Sequence, residues 1–193
     1  MKPALAAQLS LMSGVLLLAS SAVAAQTVPG IELPVVNASF EATKYGHPTG
    51  WYAGGNGYRV MVDSSSRIDG RVSLRSERID TATYAPGGGF GVATQMLPAI
   101  PALGKSVRLS GWIRTESVTA GYAGLWLRVD SATRTLAFDN MHDRGPSGTT
   151  PWTRWVIELP VDSMATKMMF GVLHPGTGRA WFDSLRLEIV SSD

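Results

Sequence analysis

Two tryptophans on successive alternating stretches are the residues best suited to chemistry here. In one stretch Val107, Leu109, Gly111 and Ile113 alternate with Arg108, Ser110, Trp112 and Arg114; in the next, Leu125, Leu127 and Val129 alternate with Trp126, Arg128 and Asp130. Side chains along a strand point alternately to its two sides, so inward leucines turn Trp112, Arg114, Trp126, Arg128 and Asp130 outward. An indole face stacks on the C–H face of a pyranose while Arg, Asp and Asn fix its hydroxyls, and that chemistry suits a carbohydrate ligand. Asn140 is placed to reach the same face from the following strand and loop. Tyr52 and Tyr58, in the glycine-rich segment 51–59, add an aromatic rim. Two other readings stay open for the aromatic face. It docks another protein, since Trp and Arg anchor interfaces, or loops and Arg stems cover the indoles. Trp152 and Trp155 read as packing.

Catalytic signals are weak. His47, His142 and His174 are far apart and form no His-x-x-x-His pair to seat zinc. The glycine run at 87–91 lacks the Lys-Ser/Thr of a phosphate cradle, and no Gly-x-Ser-x-Gly elbow occurs. Asp130 with Asp139 or Asp143 would suit a small polysaccharide hydrolase or lyase, which needs two carboxylates ~5–9.5 Å apart across a cleft. A chain with 15 acidic residues offers many such pairs, so the preferred reading is binding without catalysis. The absence of Cys removes thiol catalysis, thiolate metal sites and disulfides together.

These side chains need a framework to hold them. The chain has 193 residues, 45% hydrophobic and 17% charged with a net charge of +2, which fits one globular domain. Its basic residues are scattered singly, which excludes the dense stripe of a nucleic-acid binder. At the N-terminus, Lys2, the apolar run Leu9 to Ala19 and the small residues Ala22-Val23-Ala24-Ala25 have the plan of a bacterial secretory signal. Residues 1–25 are therefore expected to be removed, leaving a single domain over 26–193 in the periplasm or outside the cell, with no membrane span. Past Pro34 the apolar pattern has period 2 almost throughout. Glycine- and proline-rich turns such as 46–50, 54–57, 86–89, 145–148 and 175–178 punctuate it. The expected fold is all-β, an antiparallel two-sheet β-sandwich of the jelly-roll type, with any helix limited to a single turn.

Several segments carry a family resemblance. Asn37-Ala38-Ser39-Phe40-Glu41, Pro48-Thr49-Gly50-Trp51, the stretch Asp63 through Gly70 to Arg75, and Trp181-Phe182-Asp183-Ser184-Leu185 resemble landmarks of galactose-binding-like jelly-roll domains. These include the carbohydrate-binding modules of secreted glycosidases. The stretch from Gly104 to Asp183 is also similar to an accessory domain of assorted bacterial exported and regulatory proteins. The resemblance implies a carbohydrate or envelope-glycan partner. It also implies a structural calcium held by Glu41 of the opening strand and Asp183 of the closing strand, with backbone carbonyls completing the shell. Ser184 departs from the pattern, since relatives often carry a second Asp there. Pairing with Lys or Arg, or acceptance of backbone N–H bonds, is the other role open to the two carboxylates.

Overall fold

The computed structural model describes residues 30–79 and 89–190. The expected signal peptide over 1–25 and most of the turn at 86–89 lie outside the described residues. The strands are β1 (Ile31–Glu32), β2 (Thr43–Lys44), β3 (His47–Pro48), β4 (Tyr52–Gly54), β5 (Tyr58–Asp63), β6 (Ser73–Arg78), β7 (Gly91–Pro98), β8 (Lys105–Val118), β9 (Gly124–Asp130), β10 (Thr135–Asp139), β11 (Gly148–Val161), β12 (Lys167–His174) and β13 (Arg179–Val190). One 3-10 turn, Ile100–Ala102, is the helical element among the described residues. None of these residues forms a helix long and apolar enough to cross a membrane.

Every ladder is antiparallel. One sheet runs β11-β8-β13-β6-β5 with β1 beside the end of β13, a second runs β10-β9-β12-β7-β4, and β2 and β3 form a separate two-stranded ribbon. The period-2 pattern dictates what lies between them. Val107, Leu109, Ile113, Leu125, Leu127, Val129, Met168, Phe170, Phe182 and Leu187 are fully buried, each contributing roughly 2 kcal/mol of burial. Gly111 occupies an inward position where a Cβ would lie 3.2 Å from Leu185 and 3.3 Å from Leu125, so the sheets close tightly there. In β13 a register shift between Asp183 and Arg186, with Ser184 at φ 50°, inserts a bulge. The bulge resets the alternation, and both Phe182 and Leu185 face inward.

One organisational expectation is corrected. Strands β8 and β9 follow each other in sequence but belong to different sheets, with β13 and β11 flanking β8 and β12 and β10 flanking β9. Hydrophobic alternation fixes which side of a strand meets the core and is silent on which sheet the strand joins. The segment 119–123 therefore carries the chain across the sandwich instead of turning a hairpin.

Candidate functional site

Trp112 and Trp126 both face away from the core, yet they lie on opposite outer faces of the molecule. The joint platform of two indoles is thus corrected to two separate surfaces. On the six-stranded sheet, Trp112 sits in the ladder between Arg154 and Asp183. Arg114 stacks its guanidinium 4.4 Å from the ring centre of buried Trp181 and pairs with Glu116 at 3.6 Å. Trp181 in turn donates its indole N–H to Asp63 at 2.8 Å. Arg114 is a cover for an outward-facing tryptophan rather than a free ligand contact. Trp152, on the same face, donates its N–H to Ser66, whereas Trp155 packs against the core as expected.

The five-stranded sheet carries the rest of the site. Across it Trp126 pairs with Gly171, Gly171 with Thr94, and Thr94 with Tyr52, so these four residues form one row. Gly171 brings no side chain to this row. Trp126 lines a cleft of ≈ 580 Å³ whose lining also includes Phe90, Tyr122, Arg128, Phe138, Asn140, His142 and Leu173. Loops 119–123 and 140–147 and the turn after β12 raise its walls. Arg128, Asn140 and Trp126 are brought together as expected, while exposed Tyr52 lies on the same face beyond Thr94.

Two expected contacts have other roles. Asp130 is buried; its Oδ2 accepts the Nε (3.1 Å) and Nη2 (3.0 Å) hydrogens of Arg128, and its Oδ1 accepts the Thr135 hydroxyl at 2.9 Å. It positions Arg128, whose Nη2 also reaches the Met169 sulfur at 3.1 Å. Tyr58 is a core residue and not a rim: its hydroxyl donates to the Gly176 carbonyl at 2.8 Å, and its ring meets His174 edge-on at 5.4 Å. The alternation in Tyr58-Arg59-Val60 marks Tyr58 as inward, a signal masked by the glycines before it.

Sequence reasoning passed over Tyr122, Phe90 and Phe138, because loop residues and aromatics on an edge strand have no period that announces a shared cleft, whereas His142 arrives with Asn140 from the segment that follows β10. Tyr122 packs edge-on to His142 at 5.9 Å. Burial, with Asp139 and Asp143 nearby, pushes its hydroxyl up to about 12. The Trp126 indole N–H is buried with no hydrogen-bond partner. His174 ends β12 and is fully buried.

Glu41 and Asp183 clasp one loop. Glu41 Oε1 accepts the backbone N–H groups of Arg71 (2.7 Å) and Val72 (3.0 Å), and Oε2 accepts Arg71 Nε at 3.2 Å. Those N–H groups hold the Glu41 carboxyl below its ordinary value. Asp183 Oδ2 accepts the N–H groups of Ile68 (2.9 Å) and Asp69 (3.2 Å), and Oδ1 accepts that of Ser184 at 2.7 Å. Burial pushes the Asp183 carboxyl up, against the pull of these donors. A carboxylate oxygen has about two lone-pair sites, so backbone donors saturate Glu41 Oε1 and Asp183 Oδ2. Calcium needs six to eight oxygens, and these two carboxylates leave Glu41 Oε2 and Asp183 Oδ1 as the oxygens that accept one N–H each.

The two antiparallel sheets define a jelly-roll β-sandwich. The CBM22-1 xylan-binding domain of Paenibacillus barcinonensis Xyn10C superposes with a TM-score of 0.55 at 15% identity, over 81% of this chain and 94% of that one. The C-terminal family 22 carbohydrate-binding module of Clostridium thermocellum Xyn10B gives 0.56 at 17% identity, over 81% and 98%. A cyclase from Fischerella sp. TAU, in complex with 4-(1H-indol-3-yl)butan-2-one, gives 0.60 at 14% identity, over 84% and 99%. At these identities the likeness is one of fold. In sequence, the chain is 35% identical over 147 residues to YbfP of Bacillus subtilis, described as an uncharacterized HTH-type transcriptional regulator. The match takes in 73% of this chain and 48% of YbfP, so the chain spans about half the length of the curated relative it matches. No protein-family model matches the chain.

Proposed function

We propose that this protein is an exported, non-catalytic glycan-binding domain over 26–193 that seats a sugar ring on Trp126. The observation that carries this reading is the cleft that half-buried Trp126 lines together with Arg128 and Asn140. A pyranose laid in that cleft stacks its C–H face on the indole and directs hydroxyls to the guanidinium and the amide. The xylan-binding neighbours of the same fold support a carbohydrate as the ligand class. Asp130 is engaged with Arg128 and Thr135, and Asp139 with Arg144 and the Met141 N–H, which supports binding over hydrolysis by that pair. The test is a glycan array probed with the chain from residue 26 onward. Retention of a defined set of glycans is expected, and an array without any retained glycan contradicts the proposal.

A second reading draws on YbfP: the cleft serves as the ligand-sensing part of a regulatory protein. Fractionation of the producing cell separates the two, because an exported binder is found outside the cytoplasm with residues 1–25 removed and a sensing module is found inside with its N-terminus intact.

A further inference from the structure

Tyr122 lines the cleft with its ring held between two glycines. A Cβ at Gly145 would collide with ring carbon Cδ2, and one at Gly124 would come within 3.1 Å of Cε2. The segment 119–123 that carries the ring is pinned at both ends. The Thr177 N–H donates to the Thr119 carbonyl at 2.9 Å and the Thr119 N–H to the Thr177 hydroxyl at 2.9 Å, while the Ala123 N–H donates to the Pro146 carbonyl at 3.0 Å. The phenol is thus fixed in place before any ligand arrives, so binding costs little ordering of this side chain.

Tyr122 is only 8% exposed, yet its hydroxyl makes no hydrogen bond to the described residues and is not sealed away from solvent. Phenylalanine would fill the same space between the glycines, so packing does not account for the hydroxyl. Polar groups on buried side chains are paired with few exceptions, and the open side of this one is the cleft. Burial, and after it Asp139 and Asp143, push the phenol up to about 12, so it keeps its proton and can donate throughout the neutral range.

The hydroxyl also stands where a sugar needs it. Gly124, Trp126 and Arg128 share the outer face of β9, and at 3.3 Å per residue the first and last lie roughly 13 Å apart with the indole midway. Tyr122 and Asn140 meet the strand at Gly124, where a Cβ would lie 3.1 Å from both the Tyr122 ring and the Asn140 carbonyl oxygen. The indole therefore has polar groups on both flanks along the strand. A pyranose has an apolar face and oxygens around its rim, so a ring stacked on Trp126 presents oxygens to both flanks.

We infer that Tyr122 is a ligand-binding residue whose hydroxyl donates a hydrogen bond to an oxygen of the sugar on Trp126, on the Asn140 side of the ring and away from Arg128. This rests on the glycan reading above and names a specificity-determining contact within it: a sugar without that oxygen is discriminated against.

Protein-observed NMR titration and calorimetry with the methyl glycosides of xylose, glucose and galactose and their monodeoxy analogues test it. For the tightest probe, Tyr122→Phe is expected to weaken binding about three- to tenfold, the worth of one hydrogen bond, with Tm unchanged because the hydroxyl has no partner among the described residues. One monodeoxy analogue is expected to lose the same factor on the wild type and nothing further on Tyr122→Phe. Equal binding by Tyr122→Phe and wild type, additive losses for every deoxy analogue, or a Tm lowered by several degrees overturns the inference. If Trp126→Ala still abolishes binding in any of those cases, the glycan reading stands. No probe binding to the wild type overturns both.

Discussion

Gly171 pairs with Trp126 across the β9–β12 ladder, and a Cβ at Gly171 would stand 1.9 Å from the carbonyl oxygen of Ala93 on the opposite neighbour, β7. The backbone of β12 therefore approaches β7 more closely than any residue but glycine permits. The close approach of β12 and β7 beneath the indole-bearing face thus depends on this one residue.

Gly171→Ala is accordingly expected to cost roughly 1–3 kcal/mol, a fall of about 3–10 °C in Tm for a domain of this size, and to weaken glycan binding only by shifting β7 and β12, whose Val92 and Leu173 line the cleft. Thermal melts and titration of the same preparation check it. An unchanged Tm would show that the ladder yields without strain.

Asp130 is expected to act on ligand only through Arg128. Asp130→Ala should lower glycan affinity about tenfold, as loss of a charge-assisted anchor does, while adding nothing further in an Arg128→Ala background. A double-mutant cycle with Tm as the folding control reads this. Additive losses would mean that Asp130 meets the ligand itself.

The clasp made by Glu41 and Asp183 gives a second stability prediction. Asp183→Ala leaves the N–H groups of Ile68, Asp69 and Ser184 without their acceptor in a buried setting, at a cost on the order of 3 kcal/mol. Calcium and a chelator should each leave the wild-type Tm unchanged. A rise of several degrees with millimolar calcium would show that the loop rearranges to offer carbonyl oxygens to the ion.

His174 adds an acid-sensitive element. Its Nε2–H donates to the Thr177 carbonyl at 3.0 Å, so its Nδ1 accepts from the Ser76 hydroxyl at 3.2 Å and the imidazole is held neutral. Burial is the main reason its value falls from 6.5 to about 4; Arg78 on β6 adds to the fall, and the two hydrogen bonds oppose it. Between these values the unfolded chain takes a proton that the folded chain refuses. Stability is thus full above pH 6.5 and declines as pH falls toward 4, by about 3 kcal/mol in all. Melts from pH 7.5 to 4.5 should show this slope in the wild type, and His174→Gln should flatten it from a lower starting Tm.

Much of this fold was legible in the sequence. The alternation of Val107, Leu109 and Ile113, of Leu125 and Leu127, and of Phe170 and Val172 names the buried residues directly, because a strand with one face in a core needs period 2. The outward orientation of Trp112 and Trp126 was legible for the same reason. What the pattern could not carry was sheet membership, a property of long-range pairing: β8 takes β13 and β11 as neighbours across separations of tens of residues. Trp112 and Arg114 were therefore assigned to the surface of Trp126 although they lie on the other sheet. Phe90, Tyr122 and His142 come to the cleft from loops and strand approaches, where residue type says little about where the side chain ends up.

The most direct test of the account is the comparison of Trp126→Ala with Trp112→Ala on whichever glycan the wild type retains, both variants verified by Tm. Loss of binding in Trp126→Ala, with Trp112→Ala close to wild type, is the predicted result. Binding that survives Trp126→Ala, or that fails in Trp112→Ala alone, would contradict the placement of the sugar on the five-stranded sheet.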